Sequence, residues 1–431
     1  MQGPGDETPR VRRRGAVTVL AVLLAAAVHS CGPRGSGDVV TFWAFGVEGE
    51  HVAKLIPEFE RRNPGIRVHV QMIPWNAAHE KLLTAFAGGS LPDMWQLGNT
   101  WIPEFTTLNA IEDLGPWLAR SRTLRPSCYF PGIWDTNLMD SVLFGIPWYV
   151  DTRVLFYRSD LLAAVGYAAP PKSWDEWFDV CARLKRAHPD RYGVFFSTNN
   201  EWAPPVIMGL QEHSPLLKER NTRGDFSGPE FVRATQAFDR FFTNAWAPVK
   251  TTQIVNVFQA FAEGYFAMYI TGPWNIGEFS RRLPDSLQDR WMTAPLPGPD
   301  GGIGLSTAGG SSLVMFRGSH HKEEVWKLIE FLSEPAEQLE FYRLTGNLPA
   351  RREAWGDSAL ASNRYAAAFF TQFEHVVATP KVPEWEQIAQ KAREYIELIT
   401  MDQYTVGEGL AALDREVDII LAKRRWLVRG E

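Results

Sequence analysis

Cysteine is scarce in this chain: Cys31, Cys128 and Cys181 are the three in 431 residues. A disulfide framework is thereby excluded, and Cys128 and Cys181 read as two separate buried thiols. Positive charge is not in excess either: 44 Lys and Arg against 50 Asp and Glu give a formal charge of −6. With no dense basic patch in the body, nucleic acid is excluded as a partner. Catalytic signatures are missing too, with no nucleophile elbow, phosphate loop or HExxH motif. His320-His321, in the turn RGSHHKEE, is the one adjacent histidine pair. Neighbouring side chains on a turn seldom converge on one ion, so neither metal nor cofactor is expected. No repeat or low-complexity segment follows residue 40. What remains is an apolar fraction of 45% with 22% charged residues. That describes a globular chain, and its length exceeds what one hydrophobic core serves, so two domains are expected.

The first residues are of another kind. Arg10, Arg12, Arg13 and Arg14 precede the apolar run Ala16 to Val28, which gives way to His29-Ser30-Cys31-Gly32. Basic, then apolar, then small is the order of an export signal, and the apolar run is shorter than the about 20 residues that span a bilayer. Val28-His29-Ser30-Cys31 resembles the bacterial lipobox, with His29 as a departure. Cys31 is therefore the expected lipidation site, against plain secretion as the simpler reading. Removing residues 1–30 takes away four arginines and two acids and leaves a formal charge of −8. Anionic lipid repels such a body, so the lipid is its expected link to the membrane. Residues 31–37, CGPRGSG, have the composition of a tether.

From Asp38 the pattern is regular. Asp38 to Phe45 reads as a strand, His51 to Arg62 as a helix and Ile66 to Ile73 as a strand. Ala77 to Ala87 then reads as a helix and Asp93 to Leu97 as a strand. This β-α-β-α-β series implies an α/β fold with a mostly parallel sheet, and ligands of such sheets sit beyond the carboxyl ends of the strands. A second series starts near Asp151: a strand Val154 to Tyr157, a short helix Ser159 to Val165, and a helix capped by Ser173 and running to Ala187. A strand Gly193 to Phe196 and helices Phe231 to Phe242 and Asn256 to Ala262 follow. After Gly309 come a strand Ser312 to Phe316, a helix Lys322 to Leu332 and a mostly helical tail, Glu384 to Lys423.

Aromatics are what the chain has in quantity, with 17 Trp. Trp43, Trp101, Trp148, Trp202 and Trp274 sit in turns beside Gly, Pro, Asn or Asp, whereas Trp174 and Trp177, at helical spacing, read as core. A sugar accounts for indoles in polar turns. Its C–H faces stack on an aromatic ring, and its hydroxyls need amide and carboxylate partners.

Several segments resemble the extracellular solute-binding proteins of ABC importers, the maltose-binding-protein-like group in particular. They are IPWYVDTRVLFYRSDLL (146–162), PKSWDEWFDVCARL (171–184), GPWNIGEF (272–279), GGSSLVMFRGSHHKEEVWKLIEFLS (309–333) and TGNLPARREAW (345–355), in the family's order behind an export signal. The resemblance implies a two-lobe periplasmic-binding-protein fold of type II, each lobe a mostly parallel sheet flanked by helices, with the ligand in the cleft between them. It implies crossings near Tyr149 to Asp151, Leu305 and Arg351. Lobe 1 would hold 38–149 and 306–350, and lobe 2 would hold 150–305 and 351–431, after a signal at 1–30. The family's site positions fall on Trp43, Asn99, Thr100, Trp101, Asp151, Glu201, Trp202, Trp274, Gly310 and Ser311, and Trp148, an indole in a polar turn, joins them as a candidate. Asp93 looks like turn structure and Trp95 like core. Maltose binders often carry an acid and a base where this chain has Asn99-Thr100-Trp101, a departure that bears on maltose but not on sugar. Asp151, with no acidic neighbour within two residues and Arg153 nearby, is expected to be an ionised acceptor.

The function implied is capture of a di- or oligosaccharide and its delivery to permease subunits, by a lipid-anchored or secreted monomer that is not an enzyme. Two alternatives stay open. Arg153 and Arg351 could clamp a phosphorylated or acidic sugar, against an interlobe salt bridge and a hinge contact. An exported carbohydrate-active enzyme would need two acids at hydrolytic separation, with Asp151 and Glu201 the first pair to consider.

Overall fold

The computed structural model describes residues 38–197, 201–249 and 254–429. The export signal, Cys31 and the tether lie outside them. The opening series forms as expected. Asp38–Phe45 pairs in parallel with Ile66–Ile73 on one side and with Met94–Gly98 on the other. The first helix differs: instead of one helix from His51 there are two, Gly46–Val52 and Ile56–Arg62. Pro57 cannot donate to the carbonyl four residues back, which breaks the helix there.

The complete sheet has six strands in the order Leu348–Pro349, Ile146–Asp151, Gly309–Met315, Met94–Gly98, Asp38–Phe45, Ile66–Ile73. Gly309–Met315 runs antiparallel to both its neighbours. The expected parallel pairing therefore holds for the opening series, and the strands returning from the crossings add antiparallel. A second sheet of four strands has the order Trp291–Ala294, Val154–Arg158, Phe266–Thr271, Tyr192–Phe195. Its one parallel pair is Phe266–Thr271 with Tyr192–Phe195. Phe266–Thr271, FAMYIT, is buried throughout, and such a short apolar run carries no period to mark it as a strand.

Helix ends follow local chemistry. The Ser173 hydroxyl accepts from the Glu176 amide at 3.1 Å, and Thr405 with Glu408 closes a reciprocal capping box. One apolar cluster runs continuously from the six-stranded sheet (Val40, Phe42, Trp148, Val150) through Val154 and Phe156 to Phe279, Trp291 and Phe369. Separate clusters fill the outer part of each lobe. Cys181 is buried and Cys128 half-buried, and both are free. No helix of the described residues is long and apolar enough to cross a membrane, and no group of metal-ligating side chains occurs among them.

Candidate functional site

The carboxyl ends of strands from both sheets face one cleft. Its floor is the end of Ile146–Asp151, where Asp151 sits in register with Gly309. A side chain at Gly309 would collide with the Asp151 carboxylate, and Gly310, at φ +112°, could carry one only into the Tyr149 carbonyl. The glycine pair thus lets the two backbones approach closely. Ser311 is buried, its hydroxyl donating to the Tyr149 phenol at 3.1 Å and accepting from Gln96 Nε2 at 3.2 Å. Gln96 Nε2 also donates to the Tyr149 phenol at 3.0 Å, and its Oε1 ties the end of the first strand by accepting from the Phe45 amide at 2.8 Å.

Arg153 organises the charge. Its guanidinium donates to Glu201 at 3.0 and 3.3 Å and to Asp151 at 3.3 Å, and lies over the Trp274 ring, 4.7 Å from the centroid. Burial pushes the Asp151 carboxyl up from its ordinary value; Arg153 opposes the shift, while Glu201 and Glu48 add to it. Asp151, expected to be an ionised acceptor because no acid lies within two residues of it, thus has acids from other segments beside it that favour its protonated form. Glu48, buried in the helix after the first strand, accepts from Trp75 Nε1 at 3.1 Å and from Asn347 Nδ2 at 2.9 Å.

Above this floor lie aromatic walls. Trp101 stands among His79, Trp75 and Phe45, with ring centroids 4.9, 6.0 and 6.1 Å away. His79 bonds Glu104 at 2.6 Å, which raises its pKa from the usual histidine value. On the other lobe, Trp274 is 46% exposed, and Trp202 packs edge-on against Trp385 at 5.6 Å. Thr100 donates its hydroxyl to Glu386, in the first turn of the helix Trp385–Thr400, and so bridges the lobes.

Of the residues singled out in sequence, Thr100, Trp101, Asp151, Glu201, Trp202, Trp274, Gly310 and Ser311 stand on or directly under these surfaces. Four do not act as expected. Trp148 is 1% exposed and stacked on Phe341 at 4.4 Å. Pro147 cannot complete an interior ladder, so the pairing slips there, from Pro147 opposite Ser312 to Tyr149 opposite Ser311. The bulged residue between them is Trp148, whose indole goes into the core. Arg351 is 4% exposed, donating to the Ser333 carbonyl at 3.0 Å and to Glu353 at 2.6 Å. It caps the end of the helix Lys322–Leu332, a cation on orphan carbonyls, and offers no anion clamp. Trp43 lies two residues short of its strand end, half-buried, with the Lys81 ammonium 5.0 Å from its ring. It joins the packing that supports Trp101. Asn99 is buried, its amide donating to Thr136 at 2.9 Å, so it anchors the turn.

The comparisons with known proteins follow this geometry. The family model of the bacterial extracellular solute-binding proteins matches residues 47–339. The chain belongs to the bacterial extracellular solute-binding proteins. Among solved structures, the chain is similar to the sugar-binding protein MalE from Xanthomonas citri, with 48% identity and a TM-score of 0.88 over 91% of this chain and 100% of that one. It is 22% identical to the galactooligosaccharide-binding protein of Bacillus subtilis over 88% of this chain and 90% of that protein. With the diacetylchitobiose binding protein DasA of Streptomyces coelicolor it shares 23% identity, over 82% of each. Glu48, Trp75 and Trp101 belong to the six-stranded lobe and Arg153, Glu201 and Trp274 to the four-stranded one, and Glu48 is near enough to Asp151 to raise its carboxyl. Glu48, Trp75, His79, Gln96 and Glu386 were not singled out from sequence. Gly46-Val47-Glu48, continuing the first strand, is the one signal that could have pointed to Glu48.

Proposed function

We propose that this solute-binding protein captures a di- or oligosaccharide in the cleft and delivers it unaltered to the permease of an ABC importer. The observation that carries this reading is the pair of carboxylates, Asp151 and Glu201, around the Arg153 guanidinium that the Trp274 ring covers, with the Trp101 indole on the other lobe. The carboxylates supply acceptors for hydroxyl donors, and the rings supply faces for C–H surfaces. The likeness to the Xanthomonas citri sugar-binding protein supports the same ligand class. Trp101, Trp274 and Trp202 stack or bound the sugar, Asp151 and Glu201 accept from it, and Gly310 leaves the floor open. Cys31 carries a lipid that holds a monomeric body at the membrane by the tether.

A phosphorylated or acidic ligand would need free cations. Arg153 is already matched by two carboxylates and Arg351 is committed to a helix end, which favours the neutral sugar. Hydrolysis would need two acids set on either side of a scissile bond, whereas the Asp151 and Glu201 carboxylates both bond the same guanidinium.

A thermal-shift screen against neutral, phosphorylated and acidic sugars tests the reading. At about 100 times its dissociation constant a ligand adds roughly 2.7 kcal/mol to the native state. Asp151→Asn should weaken the best sugar about tenfold to a hundredfold, the worth of a charge-assisted hydrogen bond. Recovery of the sugar unchanged after incubation accompanies binding. A shift only with phosphorylated or acidic compounds would overturn the proposal.

A further inference from the structure

We infer that the cleft is shut at one end and open at the other, so that a bound sugar chain extends past Trp274 into a subsite bounded by His51 and Tyr342. This rests on the sugar reading and adds a direction to it. The shut end is the bridge from Thr100 to Glu386, which joins the turn after the third strand to the helix of the opposite lobe. Behind Glu386, Trp385 is fully buried against Trp202, so the wall has a solid backing. An ion pair between the lobes, Lys381 with Asp135 at 2.8 Å, reinforces this flank.

At the other flank a cavity of about 610 Å³ opens between the lobes, lined by Val47, His51, Trp274, Glu278, Arg281 and Tyr342. That volume lies within the about 300–1,000 Å³ of small-molecule sites. Trp274 belongs both to the site and to the cavity: its ring covers Arg153 and also forms part of the cavity wall. Val47 is similarly next to Glu48 in sequence. The cavity thus continues the site and is not a separate pocket.

Its chemistry fits a further uncharged sugar unit. Arg281 pairs with Glu278, and Arg343 lies 3.3 Å from Glu340 and 3.6 Å from Asp357, so the arginines at this rim are matched, while the Lys54 ammonium lies 3.0 Å from His51 Nδ1. Tyr342 offers a half-exposed ring whose phenol oxygen accepts from Asn363 Nδ2 at 2.9 Å, which leaves its proton free to donate. His51, half-buried across the cavity, adds a second polar ring.

The test uses the purified full chain and maltose, cellobiose, lactose and melibiose, each plain, with a 4-nitrophenyl group at the reducing end, or with a benzylidene on the other unit. For the disaccharides that bind, one tagged form should bind like the parent and the other should not. Tyr342→Ala and His51→Ala should weaken the tolerated tagged form about fivefold to tenfold, the scale of one ring contact, and leave the plain disaccharide within about twofold. Glu386→Ala should admit the excluded tag. Tolerance of both tags, exclusion of both, or equal weakening of plain and tagged sugars by the Tyr342 and His51 variants would overturn the inference. Binding of none of the four disaccharides would overturn the inference, whereas the sugar reading falls only if the thermal-shift screen finds no neutral sugar.

Discussion

Arg153→Gln is the perturbation that most directly probes the cleft floor. In the native chain the guanidinium is the cation shared by Asp151 and Glu201, whose side chains are 24% and 14% exposed. Glutamine keeps some hydrogen bonding but removes the charge, leaving partly buried carboxylates facing one another. Removing one member of a buried ion pair costs about 3–5 kcal/mol because the remaining charge is uncompensated. Unfolding entropy near 2.1 cal/mol/K per residue, over the roughly 390 described residues, converts this to a fall in Tm of roughly 4–6 °C at pH 7.5. The sign of the pH dependence is determined by the same groups. Burial already raises the Asp151 carboxyl and Arg153 opposes that rise, so the variant's carboxyl should move further up. A carboxyl with a folded pKa above its unfolded one penalises the fold when ionised; the penalty is full above the folded value and fades as pH falls through it. The Tm deficit of the variant should therefore shrink between pH 7.5 and pH 4.5, followed by tryptophan fluorescence on heating. A variant that melts within about 1 °C of the parent at pH 7.5, or whose deficit grows on acidification, would refute this account of the floor.

Trp148→Ala should destabilise the chain by about 3–5 kcal/mol, the cost of a large core truncation, in chemical denaturation. Its affinity for sugar, measured well below its melting temperature, should change little, because the indole stacks on Phe341 and not on ligand. His79→Gln should lower stability more at pH 6 than at pH 9: a histidine raised by Glu104 contributes fully below its unfolded value and loses that contribution as pH rises through the folded one. Thermal melts of both proteins at the two pH values read this directly. Cys31→Ala should move the protein from the membrane to the soluble extracytoplasmic fraction, whereas unchanged fractionation would leave plain secretion as the explanation.

What sequence made legible was whatever local chemistry decides. The opening strands and helices, the Ser173 cap and the glycine pair at 309–310 all announce themselves through period, cap or turn residues. The positions of Asp151, at the end of a strand, and Trp274, at the start of a helix, were legible because each falls in a family motif. Trp148 and Arg351 were misread because their surroundings come from far along the chain. A bulge forced by Pro147 turns one side chain inward, and the end of the helix Lys322–Leu332 draws in the other. Glu386 was invisible for a similar reason. An acid in the first turn of an amphipathic helix complements the helix dipole, and nothing in WEQIAQ announces that Thr100 waits across the cleft. Acids that meet only in space likewise gave Asp151 neighbours that no sequence window contains.

The placement of Gly309–Met315 has a consequence for how the chain is made. This strand lies between Met94–Gly98 and Ile146–Asp151, so the larger sheet lacks its middle until more than three hundred residues have left the ribosome. Pairings of such sequence separation form late, after the loop-closure entropy between them has been met. The six-stranded sheet therefore stays incomplete for most of synthesis, although the strands of the four-stranded sheet, which end at Ala294, are made before it. For an extracellular solute-binding protein this is a fitting delay, since a polypeptide crosses an export channel as an extended thread, and a domain folded prematurely inside the cell would be stranded there.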